Sequence, residues 1–145
     1  MLFGTFTHTI DTKGRTALPA RLREGLAADN EARIVLMRNP ESRAVLALPE
    51  SVFNKAAANV GSASPFDGVA QRNVFKFFST AHHVDLDQSG RVLVPPDLRA
   101  FAGLQKDVVW VGMGSYLLLF DKAAHEAQME QDLPADQRWD FFQGR

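Results

Sequence analysis

The sequence predicts an α+β fold made of two copies of one ββαββα unit, and three observations carry that prediction. First, "DTKGRTALPARLR" at residues 11–23 returns without a gap as "DQSGRVLVPPDLR" at residues 87–99. The recurrence matches Asp11 with Asp87, Gly14 with Gly90, Arg15 with Arg91, Pro19 with Pro95, Leu22 with Leu98 and Arg23 with Arg99. Second, each copy sets a proline directly after a short apolar run, where it ends a strand and opens a helix. Third, each copy then gives two aliphatic runs parted by turn residues, the pattern of a second hairpin.

The elements follow in order from local chemistry. "FGTFTHTI" alternates apolar and polar residues as a half-buried strand does, and "DTKG" supplies a turn ending in a glycine that tolerates positive φ. "RTAL" and "RVLV" are the return strands, and "PARLREGLA" and "PPDLRAFAG" the helices that their prolines start. Ile34 to Met37 and Val45 to Leu48 flank the turn "RNPESR", as Val108 to Val111 and Leu117 to Phe120 flank "GMGS". In this alignment "ARIVLM" answers to "DVVWVG" and "AVLALPE" to "YLLLFDK". Alanine-rich helices, "PESVFNKAAANV" and "DKAAHEAQMEQDL", close the copies.

Between the copies, "GSASPFDG" reads as a small-residue linker. "VAQRNVFKFFSTA" puts Val74, Phe77, Phe78 and Ala81 on one face of a bridging helix. Phe75, Phe77 and Phe78 are assigned to packing rather than to base stacking. The organisation expected is a first repeat at residues 1–62, a linker and bridging helix at 63–80, and a second repeat with a C-terminal helical tail at 81–145. A unit of about forty residues buries too little apolar surface to offset roughly 1.5 kcal/mol of ordering cost per residue, so two copies are expected to complete one another's sheet.

Composition narrows the function classes. The 145 residues are 46% hydrophobic with a formal net charge of −1, so binding to nucleic acid must come from local clustering of cations. Such clustering exists: Lys13, Arg15, Arg21, Arg23, Arg33, Arg38 and Arg43 crowd the first part, whereas the stretch from Asp121 is acidic. The absence of cysteine excludes disulfides and thiolate metal sites, and favours a cytosolic home. "MLFGTFTHTI" lacks a basic leader followed by an apolar run, and no stretch approaches the roughly 20 apolar residues that cross a bilayer. The expected protein is cytoplasmic, with no membrane partner.

No catalytic constellation emerges. His8, His82, His83 and His125 lack the spacing of a zinc hydrolase, no serine sits in a G-x-S-x-G elbow, and Asp11 and Asp87 are explained by turn capping. The expectation is a non-enzyme with no cofactor, no metal and no small-molecule substrate. What recurs is the arginine at the turn. An arginine fixed beside a rigid corner offers a planar five-donor fork to phosphate oxygens or a guanine edge. Its rival use is an ion pair with Asp11 or Asp87 that pins the hairpin, and both uses stay open for Arg15 and Arg91. Lys13 stands at the first turn's tip. Arg23 is a better DNA candidate than Arg21 because it recurs as Arg99.

The duplicated D-x-x-G-R-x-x-x-P-x-x-L-R, with the opening "MLFGTFTHTIDTKGR" and the length of the chain, resembles the MraZ family among the AbrB-like, SpoVT-type swapped-hairpin proteins. The resemblance covers essentially the whole chain. It implies a pseudo-symmetric β-barrel with packed short helices, and a sequence-specific double-stranded DNA-binding regulator. That regulator would repress the division and cell wall gene cluster through short direct repeats upstream of its own gene. It further implies a nucleoid-associated, ring-shaped homo-oligomer, an octamer or dodecamer, in which many weak heads combine. The family's DNA-contacting loop falls on Thr12, Lys13 and Arg15, with Arg91 as the second-copy counterpart. Ser89 departs from Lys13, so the two copies are not expected to share duties equally. The alternative is an antitoxin-type interaction protein whose C-terminal tail binds a protein partner.

Overall fold

The computed structural model describes residues 1–30 and 33–139. The first copy lays down β1 (Leu2–Thr9), β2 (Arg15–Ala17), α1 (Ala20–Ala28), β3 (Arg33–Arg38), β4 (Val45–Pro49) and α2 (Glu50–Gly61). After α3 (Gly68–Lys76) and a 3-10 turn at Phe78–Thr80, the second copy repeats the order. It gives β5 (His82–Asp85), β6 (Arg91–Leu93), α4 (Pro96–Ala102), β7 (Asp107–Gly114), β8 (Leu117–Asp121) and α5 (Lys122–Glu130). Pro19 and Pro95 stand immediately before α1 and α4, where a missing N–H costs nothing and a fixed φ favours the first turn.

The strands of the two copies interleave. β1 pairs with β7 from Leu2–Gly114 to Thr9–Asp107, β5 pairs with β3, β2 with β6, and β4 with β8. Among the strand ladders of the described residues, only the β3–β4 and β7–β8 hairpins lie within one copy. The register reads the same from either side: Thr16 faces its own equivalent Val92, Arg15 faces Leu93 and Ala17 faces Arg91. Leu46 likewise faces its equivalent Leu118.

Four expectations are corrected. The six-stranded sheet, ordered β1-β7-β8-β4-β3-β5, is open with β1 and β5 as edges, so it is not a closed barrel. β2 and β6 form a separate ribbon that a single bridge, Ile10 to Thr16, connects to the first strand's end. The ribbon stays short because Pro19 and Pro95 cannot extend a ladder. The alignment of "ARIVLM" with "DVVWVG" is one residue out: Val35 pairs Leu48 as Val109 pairs Phe120, so Leu36 corresponds to Trp110. A one-residue slip exchanges the buried and outward faces of a strand.

The bridging helix stops at Lys76, because the hydroxyls of Ser79 and Thr80 take the carbonyls of Phe75 and Phe77 and the backbone turns toward β5. Phe75, inside the helix but off the half-buried stripe of Val74, Phe77, Phe78 and Ala81, is 81% exposed and not packed. Finally, β1 is less covered than a half-buried strand: Leu2 is buried, Phe6 and His8 are half-buried, and Phe3 stands 60% exposed on a sheet edge.

Both copies feed one core. Leu18, Leu22, Leu36 and Val45 meet Val92, Val94, Leu98, Trp110 and Leu119, all essentially without solvent exposure. Each such side chain contributes about 1.5–3 kcal/mol on burial. Trp110 also ties the two sheets together, its indole N–H donating to the Ala17 carbonyl at 3.1 Å. A satellite cluster of Ala44, Leu118 and Phe120 packs near α5.

Candidate nucleic-acid interface

The two D-x-x-G-R corners are built alike, atom for atom. In the first, Asp11 Oδ1 accepts the backbone N–H of Lys13 at 3.0 Å and of Arg15 at 2.8 Å, while Oδ2 accepts Nε–H of Arg15 at 2.9 Å. In the second, Asp87 Oδ1 accepts from Ser89 at 2.9 Å and Arg91 at 2.8 Å, and Oδ2 accepts Nε–H of Arg91 at 3.0 Å. Gly14 and Gly90 close the turns at φ of +92° and +75°, values that side chains with a Cβ rarely adopt.

These contacts set the electrostatics. The Arg15 backbone N–H holds the Asp11 carboxyl below its ordinary value of 3.8, and its guanidinium adds to the effect against a desolvation that opposes it. Arg91 does the same for Asp87. Both carboxylates are therefore ionised at neutral pH and fix the arginines from one side.

Both arginines pin their hairpins, and both remain available to a ligand. Their side chains are 38% and 39% exposed, and the pinning bond uses Nε alone. The terminal guanidinium nitrogens donate to no acceptor among the described residues, so four of the five N–H groups are left over. Thr12 and Lys13 are exposed at the tip of the first turn, and Ser89 occupies the lysine's place in the second. Arg21 is exposed on α1.

Arg23 has a different place from the turn residues. It is half-buried across the second copy's turn, close enough that any Cβ on Gly90 would collide with its guanidinium. Arg99 does the same to Gly14, its guanidinium carbon 2.7 Å from where a Cβ would stand. The backbone follows: Leu18 N–H donates to Gly90 O at 2.9 Å and Val94 N–H to Gly14 O at 2.8 Å. Each turn is thus braced by the other copy's ribbon and helix. Sequence reasoning missed this exchange, although the recurrence of arginine four residues after the proline was its trace.

His82 and His83 engage carboxylates outside these corners. His82 Nε2 lies 3.2 Å from Asp97 Oδ2 and His83 Nδ1 3.5 Å from Glu50 Oε2. Among the described residues no helix is long and apolar enough to cross a membrane.

The chain matches the family profile described as "MraZ protein, putative antitoxin-like" over residues 1–41 and 77–140. It is 63% identical over 142 residues to a protein of Anaeromyxobacter dehalogenans (strain 2CP-C) named Transcriptional regulator MraZ, covering 98% of this chain and 99% of that one. A protein of the same name from Anaeromyxobacter sp. (strain Fw109-5) is 61% identical over 142 residues, covering 98% of each. Another, from Burkholderia multivorans (strain ATCC 17616 / 249), is 38% identical over 138 residues, covering 92% of this chain and 94% of its own.

Proposed function

The chain belongs to the MraZ family, and on that premise we propose that it is a transcriptional regulator that binds double-stranded DNA sequence-specifically. Its targets are short direct repeats upstream of its own gene, where it represses the division and cell wall gene cluster from the cytoplasmic nucleoid. In this reading the interleaved copies are the family's swapped-hairpin arrangement. The chain works as a ring-shaped homo-oligomer, an octamer or dodecamer, because a subunit with a net charge of −1 gains affinity mainly by presenting several heads at once.

One observation carries the reading: each corner holds a partly exposed arginine by Nε, while its terminal nitrogens donate to no acceptor among the described residues. A pre-set guanidinium fork suits phosphate oxygens and the guanine edge. Thr12, Lys13 and Arg15 form the principal contact, and Arg91 the second. Arg23 contributes beside them, because its half-buried guanidinium sets the position of the second turn. The test is gel-shift on the DNA immediately upstream of the gene, with native mass spectrometry of the complex. Arg15→Ala is expected to weaken binding at least tenfold with fold and assembly intact. Binding as tight as that of the wild type contradicts the assignment.

A second reading is favoured by the C-terminal segment, where Met129 and Leu133 are 72% and 56% exposed among acidic residues. There the segment from Asp121 holds a protein partner, as in antitoxin-type AbrB-like proteins. Salt separates the two, since DNA affinity falls steeply with ionic strength.

A further inference from the structure

A second basic site lies away from both corners, where the β3–β4 turn meets α4 and the end of α3. Arg38, Arg43 and Lys76 line a cleft of about 410 Å³ with Phe77, Phe101 and the carboxylate-bearing Glu41. The guanidinium carbons of Arg38 and Arg43 stand 4.9 and 5.0 Å from the centroid of one ring, Phe101. Neither arginine forms an ion pair among the described residues, and Nε of Arg38 is buried without an acceptor. Two guanidinium groups held against one ring, with a lysine at the same cleft and Glu41 as the carboxylate in its lining, leave a surplus of positive charge there that an oxyanion offsets.

The repeat shows how the cleft arises. The equivalents of Phe101, Arg38 and Arg43 in the other half are Gly25, Gly112 and Ser115. There the start of β1 fills the space: a Cβ on Gly25 would stand 2.9 Å from Leu2 Cδ2, and one on Gly112 2.5 Å from Leu2 O. β5 is the shorter strand, and its ladder with β3 ends at Leu36–His82. Arg38 therefore has no strand partner on that side and donates its N–H to Thr80 Oγ1 at 3.0 Å. Where one half carries glycines under an apolar strand, the other carries two arginines, a lysine and an aromatic ring around open space.

We propose that this cleft binds a phosphate group. Paired guanidinium forks with a nearby ammonium match its several oxygens better than they match a single carboxylate. The group comes either from a small phosphate ester or from a DNA backbone, and the site stands whether or not the Asp-Gly-Arg corners read DNA.

The experiment titrates inorganic phosphate into the full-length protein by calorimetry at fixed ionic strength, with chloride as the balancing anion. Wild type and Arg15→Ala are expected to bind phosphate equally. Arg43→Gln, at an exposed position and therefore still folded, is expected to bind it at least tenfold more weakly, and R38Q/R43Q not measurably. If duplex DNA of arbitrary sequence displaces the phosphate and R43Q also weakens that duplex, the source is the backbone. If duplex and phosphate bind together, the source is a free ester. No phosphate binding by the wild type, or equal binding by R43Q with an unchanged melting curve, overturns the proposal.

Discussion

Replacing Gly14 by alanine reports directly on the bracing of one copy by the other. At φ +92° a residue with a Cβ carries backbone strain of about 1–2 kcal/mol. The new methyl would also stand 2.7 Å from the Arg99 guanidinium carbon and 2.9 Å from the Val94 carbonyl oxygen. Arg99 can swing aside, whereas Val94 O belongs to the ribbon whose N–H donates to Gly14 O at 2.8 Å. Disturbing that bond costs about 1 kcal/mol more, for a total of about 2–3 kcal/mol out of the 5–15 typical of a domain.

Gly103→Ala is the control: φ is +62° with nothing within 4 Å, so only the strain remains, about 1 kcal/mol. At about 2–4 °C per kcal/mol for a chain of this size, G14A melts roughly 4–12 °C below the wild type and G103A roughly 2–4 °C below it. Thermal and urea unfolding followed by circular dichroism measure both. Equal losses in the two variants refute the cross-copy contact as the source of the extra cost.

Trp110→Phe removes the donor to Ala17 O and leaves space in the shared core. It is expected to lower the urea-unfolding free energy by about 2–4 kcal/mol, whereas Leu93→Ala, 53% exposed, changes it by less than about 0.5. The corner carboxylates predict an acid limb. Because the folded pKa of Asp11 and of Asp87 lies below 3.8, their contribution to stability is complete above that value and is lost as the pH falls through the lower folded one. D11N/D87N should flatten the stability-against-pH curve in that range, and a curve parallel to the wild type's would count against the turn geometry. In DNA binding, Arg91→Ala is expected to cost less than Arg15→Ala, since Ser89 replaces the lysine beside it; anisotropy with the upstream duplex reads the difference.

What the sequence discloses here is local. The Asp-Gly-Arg corners, the helices after Pro19 and Pro95, and the β3–β4 and β7–β8 hairpins each follow from a few adjacent residues. Pairing between copies does not, since β1 could complete a ladder with either hairpin on pattern alone, and the β1–β7 register, with Phe6 opposite the buried Trp110, is a matter of tertiary packing. The slip between "ARIVLM" and "DVVWVG" has the same origin, because both runs are apolar at nearly every position and carry little phase.

Phe75 departs from expectation for another reason: aromatic character alone assigns it to packing, whereas helical spacing leaves it off the stripe of Val74, Phe77, Phe78 and Ala81, whose members are the half-buried ones. At the corners, the pattern alone left pinning and reaching as alternatives for Arg15. The geometry shows that Nε satisfies the first without consuming the groups needed for the second. The cleft at Phe101 was invisible in the sequence because its residues come from the β3–β4 hairpin, α3 and α4, which are far apart along the chain.

The proposed meeting of corner arginines with DNA phosphates and bases is tested most directly by the slope of log affinity against log salt for the upstream duplex. The account predicts a steep negative slope for the wild type, and one shallower by about 0.9 per engaged head in Arg15→Ala. Identical slopes for the two proteins, or an affinity indifferent to salt, would contradict it.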